Sequence, residues 1–77
     1  MLDLDYNPKL FKKKREALGI TQSELAEQCK LTRMTIYNVE KGKTDSPATV
    51  LLIGLVLDIL ADDAGMMNVF YEIEKGE

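Results

Sequence analysis

Two strong helix-start signals, at Thr21 and Thr32, lie so close together in this chain that only one short helix and a tight turn fit between them. Thr21-Gln22-Ser23-Glu24 has the form of a capping box, in which the Thr21 hydroxyl accepts from the Glu24 amide and the Glu24 carboxylate reaches back to the Thr21 amide. Leu25, Ala26 and Cys29 then give the first helix an inward face, with Ile20 ahead of the cap as a hydrophobic staple. Ala26 is small enough to let another helix come close. The second helix is expected from Arg33 to Lys41, burying Ile36 and Val39 and stopping at Gly42. Whatever else the chain does must be built around two short helices turned sharply against each other.

The flanking segments carry the same punctuation. Asn7 followed by Pro8 reads as an N-cap and a first helical residue, and Leu10, Phe11, Arg15 and Leu18 fall on one helical face before Gly19 ends the helix in the left-handed conformation. Lys12, Lys13 and Lys14 then lie mostly on the opposite side, as a solvated basic face or as a contact for phosphate. Ser46-Pro47 repeats the cap-plus-proline signature and predicts a helix from Pro47 to Leu60. That helix is apolar almost all round, whereas a surface helix buries one stripe. The other helices can cover one side; the C-terminal segment or another subunit must cover the rest. From Asn68 to Glu74 the alternation of Val69, Tyr71 and Ile73 with Phe70, Glu72 and Glu74 fits a half-buried strand, with a fifth helix capped by Asp62 as the competing reading. Leu2, Leu4 and Tyr6 alternate too, so the termini could pair, although Asp3 and Asp5 would repel Glu72 and Glu74. The expected architecture is all-α: one domain over residues 1–77, a bundle of four to five helices with its core at about 7–60. Residues 61–77 are expected to serve dimerisation or partner binding, with a short C-terminal strand as the only β element.

A chain of 77 residues removes only about 60 % of its unfolded surface from water, so its core is small and needs a disulfide, a metal, regular helix packing or a second copy of itself. Cys29 is the sole cysteine and histidine is absent, which rules out an intrachain disulfide and the usual ligands of zinc or haem. Cys29, beside Leu25 and Ala26, reads as a small buried apolar residue. Without histidine, a nucleophile-base pair or a glycine-rich phosphate loop, the sequence offers no enzyme and no cofactor. The opening Met-Leu-Asp-Leu-Asp lacks the basic region and apolar stretch of a signal peptide, making the cytoplasm the expected location. The apolar run from Val50 to Leu57, extended by Ile59 and Leu60, is shorter than the roughly 20 residues a membrane span needs.

Net charge is −3, which as an average argues against nucleic acid, but the charge is divided. Up to Thr44 nine cations face six acids, giving +3; from Asp45 onward Lys75 alone opposes seven acids, giving −6. The two halves should therefore face different partners. With Ile36 and Val39 turned inward, Arg33, Met34, Tyr37, Asn38 and Lys41 occupy the outer face of the second short helix. These types suit a reader of the DNA major groove. Arg pairs with guanine O6 and N7, Asn with adenine N6 and N7, Met can meet a thymine methyl, and Tyr37 can reach a base edge or a phosphate.

Leu18-Gly19-Ile20-Thr21-Gln22, Glu24-Leu25-Ala26, Thr32, Ile36, Val39-Glu40 and Gly42-Lys43 stand, without a gap, at the spacing of a known family. From Phe11 to Leu57 the chain resembles the helix-turn-helix family of the lambdoid phage repressors and Cro proteins. By position, the resemblance implies that Gln22 contacts the DNA backbone and braces a base-reading side chain. It likewise implies that Thr32, Arg33, Met34 and Asn38 address phosphate and bases, and that Lys43 and Thr44 meet the far backbone. Arg15 and Glu40 match a structural ion pair between the first helix and the end of the third. Three positions depart from the pattern. Lys30 stands where the family usually has glycine, Met34 replaces a polar base reader, and Asp45 adds an acid near expected phosphates, so a modest and salt-dependent affinity is expected.

The function expected is a transcriptional regulator, a repressor acting by steric occupancy, that binds double-stranded DNA at a palindromic operator as a homodimer. Its dimer surface is expected to use Leu55, Val56, Ile59, Met67, Val69, Phe70, Tyr71 and Ile73. The alternative is a protein-interaction module, as in an antitoxin or antirepressor, working through the acidic, apolar C-terminal half.

Overall fold

The computed structural model describes residues 6–44 and 46–76. Five helices follow one another: α1 Pro8–Ala17, α2 Gln22–Cys29, α3 Arg33–Glu40, α4 Pro47–Asp63 and α5 Met67–Lys75. The expected caps are in place. Asn7 accepts from the Lys9 amide, Thr32 from Thr35 and Ser46 from Thr49, while Thr21 and Glu24 close both halves of the capping box. The α2–α3 turn is made by Lys30 in the left-handed conformation, at φ 59° and ψ 38°. Lysine thus takes the left-handed conformation itself, in place of the glycine expected at this point of the turn. Gly42 closes α3 at φ +72°, and a Cβ there would come within 3.1 Å of the Pro8 ring, so both the backbone angle and the approach of α1 require glycine.

Leu25, Ile36, Val39, Ile53, Leu57 and Phe70 are the largest fully buried side chains, drawn from α2, α3, α4 and α5. Each such burial stabilises the fold by roughly 1.5–3 kcal/mol before entropy is counted. Phe11, Leu18 and Ile20 pack against this core from the α1 side, and α2 and α3 share the most extensive helix contact. Tyr6 adds a long-range tie: its hydroxyl donates to the Val39 carbonyl at 3.0 Å, and its ring lies 5.4 Å from that of Phe11.

Three expectations are corrected. The C-terminal strand is absent among the described residues; α5 occupies its place. Met66, Phe70 and Ile73, at i, i+4 and i+7, form a helical stripe beneath the alternation; Phe70 is buried, Met66 and Ile73 pack on the core, and Val69 and Tyr71 are exposed. Helix α4 runs three residues past Leu60, so Asp62 is inside it rather than capping the next helix. Its end is closed instead by the Gly65 amide on the Asp62 carbonyl and the Met66 amide on the Ala61 carbonyl. Lys14 does not belong to a solvated run. Its Nζ lies 2.7 Å from Glu74 Oε1 and 5.3 Å from the Phe70 ring centroid, clamping α5 to α1. The pairing suggested for Leu2 and Leu4, and the placement of Asp45, fall outside the described residues.

Candidate nucleic-acid interface

The outward surface of the bundle is built on the start of α3. Because Ile36 and Val39 anchor this helix in the core, Thr32, Arg33 and Met34 are left exposed at its first turn, with Tyr37 and Asn38 half-buried one turn on. Thr32 caps the helix and its hydroxyl lies 2.9 Å from that of Thr35. Met34, at 55 % exposure, is an apolar side chain held in solvent on the first turn of the helix. Lys41 places its Nζ 5.6 Å from the Tyr37 ring centroid. Beyond it, the Lys43 amide bonds the Asn38 carbonyl at 2.8 Å, which folds the following loop back along α3 and leaves Lys43 exposed. The Thr44 hydroxyl accepts from the Ser46 amide, fixing that loop at the start of α4.

Behind this surface, Arg15 and Glu40 form the ion pair that joins α1 to α3. Arg15 Nε donates to Glu40 Oε2 at 2.6 Å and Nη2 to Oε1 at 3.2 Å, while Nη1 donates to the Ile20 carbonyl at 2.9 Å. The bond from Glu40 holds the Arg15 guanidinium above its ordinary pKa, outweighing the opposing effect of burial. Glu40 has a third donor. Gln22 Nε2 reaches its Oε1 at 3.1 Å, and Gln22 Oε1 in turn accepts from Arg33 Nη1 at 3.2 Å. The structure thus brings Gln22 and Arg33 together with the ion pair, whereas Asn38, Lys41 and Lys43 stand farther along the same helix and its exit.

The residues read as a dimer surface are divided by the fold. Leu55, Ile59, Met67, Val69 and Tyr71 are exposed, as are Leu51 and Leu52. Val56 and Ile73 are partly buried against the core, and Phe70, only 1 % exposed, is enclosed within this chain's own core rather than presented outward. The reason is geometric: α5 is a helix, so Phe70 turns toward α1 and α4 instead of alternating across a strand.

Sequence reasoning missed a basic cleft of about 570 Å³ between the start of α1 and the end of α3, lined by residues that include Lys9, Lys12, Lys13, Glu16 and Lys41. The spacing of Lys9, Lys12, Lys13 and Glu16 along one helical face carried the signal; the approach of α3 did not show in it. Among the described residues no cluster of His, Cys, Asp or Glu is arranged to hold a metal ion, and no helix is long and apolar enough to cross a membrane.

Comparison with known proteins bears on the same stretch of chain. Residues 11–59 match a family described as helix-turn-helix. An uncharacterised HTH-type transcriptional regulator of Methanothermobacter thermautotrophicus is 48 % identical over 42 residues, which cover 54 % of this chain and 59 % of that protein. The chain thus spans little more than half the length of that curated relative. No solved structure matches.

Proposed function

The chain belongs to the helix-turn-helix family, and from that premise we propose that it is a sequence-specific DNA-binding regulator of transcription that inserts the start of α3 into the major groove. The observation that carries this reading is the outward first turn of α3, with Arg33 held from behind by Gln22 and Asn38 one turn on. Arg33 would pair with guanine O6 and N7 and Asn38 with adenine, with Met34 against a thymine methyl. Gln22 and Thr32 stand at helix N-termini, where free N–H groups and the helix dipole favour phosphate. Tyr37, Lys41, Lys43 and Thr44 complete the contact along the groove wall. The name of the Methanothermobacter thermautotrophicus relative agrees with this assignment.

The regulator would act as a homodimer on a two-fold symmetric operator, with half-sites about one helical turn apart, and repress by occupying the site. Leu51, Leu55 and Ile59 recur every four residues on α4 and are more than half exposed, which favours a second copy as their cover. Selection of binding sites from random DNA at fixed salt tests the reading. The expected outcome is enrichment of a palindrome, with Arg33→Ala costing about 1–3 kcal/mol at one base position and Lys43→Ala weakening all sequences alike. Equal losses on every sequence in both variants would refute the assigned roles.

The same exposed α4 face, beside an acidic C-terminal half, supports a second reading as a protein-interaction module. A stable heteromeric complex together with no salt-sensitive DNA binding is the outcome that selects it.

A further inference from the structure

The ion pair that joins α1 to α3 is connected to the outward face through one amide. Building on the DNA-binding reading above, we infer that Glu40 is a positioning residue for Arg33, acting through Gln22, so that base discrimination at the Arg33 position depends on a carboxylate buried behind the helix-turn-helix. Glu40 is enclosed, with its side chain 3 % exposed, and Arg15 fixes both of its oxygens. An ionised carboxylate only accepts hydrogen bonds. Gln22 must therefore turn its NH₂ group toward Glu40, as the 3.1 Å contact records, and this leaves its carbonyl oxygen facing outward. That oxygen receives Arg33 Nη1 at 3.2 Å. The remaining N–H groups of the guanidinium stay available for a base edge, and a long, rotamer-rich side chain on an exposed helix turn is held in one direction before any DNA arrives.

The polarity of the relay is what makes it specific. With glutamine at position 40 the buried group could donate as well as accept, and the Gln22 amide would no longer have a preferred orientation. In half of its orientations it would present NH₂ to Arg33, donor against donor, and turn the guanidinium away. A role confined to stability predicts something different: losing the relay would lower the melting temperature and weaken every DNA sequence alike.

The test uses the full chain with Glu40→Gln, Glu40→Asp and Gln22→Ala. Glu40→Asp keeps a charge for Arg15 while shortening the reach to Gln22, and Gln22→Ala leaves the ion pair intact, so at least one folded variant reports even if Glu40→Gln unfolds. Competition binding would compare duplexes differing only at the base pair whose discrimination Arg33→Ala removes. Folded Glu40→Asp and Gln22→Ala should each lose about tenfold in discrimination at that pair, keep it elsewhere, and show no further loss there when combined with Arg33→Ala. Undiminished discrimination in both folded variants, or an equal loss at every base pair, would overturn the inference. A DNA-free readout separates this from failure of the DNA reading: the Gln22 side-chain amide and Arg33 guanidinium resonances should both move in Glu40→Asp. If wild type prefers no sequence, the DNA reading fails by itself; if those resonances stay where they are, the relay fails.

Discussion

Replacing Lys30 by glycine should stabilise the protein, and the size of the effect can be worked from the backbone. Lys30 sits at φ 59° and ψ 38° and is the sole non-glycine residue of positive φ among those described. A side chain in this region costs roughly 1–2 kcal/mol, because Cβ crowds the following carbonyl. Glycine removes that strain but adds freedom to the unfolded chain, worth about 0.4–1 kcal/mol in the opposite direction. The turn's hydrogen bonds survive, since the Lys30 amide on the Glu27 carbonyl and the Leu31 amide on the Ala26 carbonyl are both backbone to backbone. At the centre of these ranges the net gain is about 0.8 kcal/mol, a rise of roughly 3–6 °C in Tm for a domain of this size. Thermal and urea unfolding would measure it, with Lys30→Ala as the control that removes the charge and keeps the Cβ. Lys30→Gly should be the more stable of the two. If Lys30→Ala gains as much, the lysine charge and not the backbone was responsible, and if Lys30→Gly is destabilised the strain argument is wrong.

Other expectations follow from the packing. Phe70→Ala should cost about 3–5 kcal/mol in urea unfolding, since the ring is buried and Lys14 rests over it; a loss under 1 kcal/mol would mean that α5 is not part of the cooperative core. Leu55→Glu, on the exposed face of α4, should convert a dimer to a monomer in sedimentation equilibrium while leaving Tm of the isolated chain nearly unchanged. Wild-type protein that remains monomeric at tens of micromolar removes the basis for that experiment and for the dimer. Burial raises the Cys29 thiol above its ordinary pKa. The folded state then holds that proton more tightly than the unfolded chain, so this group's contribution to stability is fully present below the ordinary thiol range and is lost as pH rises from there through the raised value of the folded state. Alkylation of native protein at mildly alkaline pH should be much slower than in urea, and equal rates would contradict the burial of Cys29.

Much of this fold was legible because its signals are local. Asn7-Pro8, the Thr21 to Glu24 box, Thr32 and Ser46-Pro47 each announce a helix through hydrogen bonds made within four residues, and each does so in the structure. The C-terminal segment has no such cap: Asp62, the one helix-start signal read there, lies inside α4, and α5 starts after Met66 without a side-chain bond, so nothing local outweighs the alternating pattern. What turns that segment into a helix is long-range, the seat for Phe70 against α1 and the Lys14 to Glu74 pair sixty residues apart in sequence. The interface divides in the same way. The resemblance paired Arg15 with Glu40 and set Gln22 against a base-reading side chain, but the Gln22 to Glu40 bond that joins the two into one relay depends on how α1, α2 and α3 cross, which no spacing along the chain encodes.

The split of charge between the two halves also has a different meaning once the contacts are known. Of the cations in the basic half, Lys14 is spent on Glu74 and Arg15 on Glu40, so neither is available to neutralise phosphate. Arg33, Lys41 and Lys43 remain along α3 and its exit, all exposed. With Arg33 assigned to a base edge, Lys41 and Lys43 are left to neutralise phosphate, so log K should fall with log salt at a slope of about −1.8 per arm, or about −3.6 for a two-armed dimer. Fluorescence anisotropy between low and moderate salt would give that slope. Lys43→Ala should reduce it by about 0.9 per arm, whereas Lys14→Ala should leave it unaltered while lowering Tm. A Lys14→Ala slope that drops as far as that of Lys43→Ala would show that Lys14 leaves Glu74 to meet DNA, and that the acidic C-terminal helix competes with phosphate for the basic half instead of being tied to it.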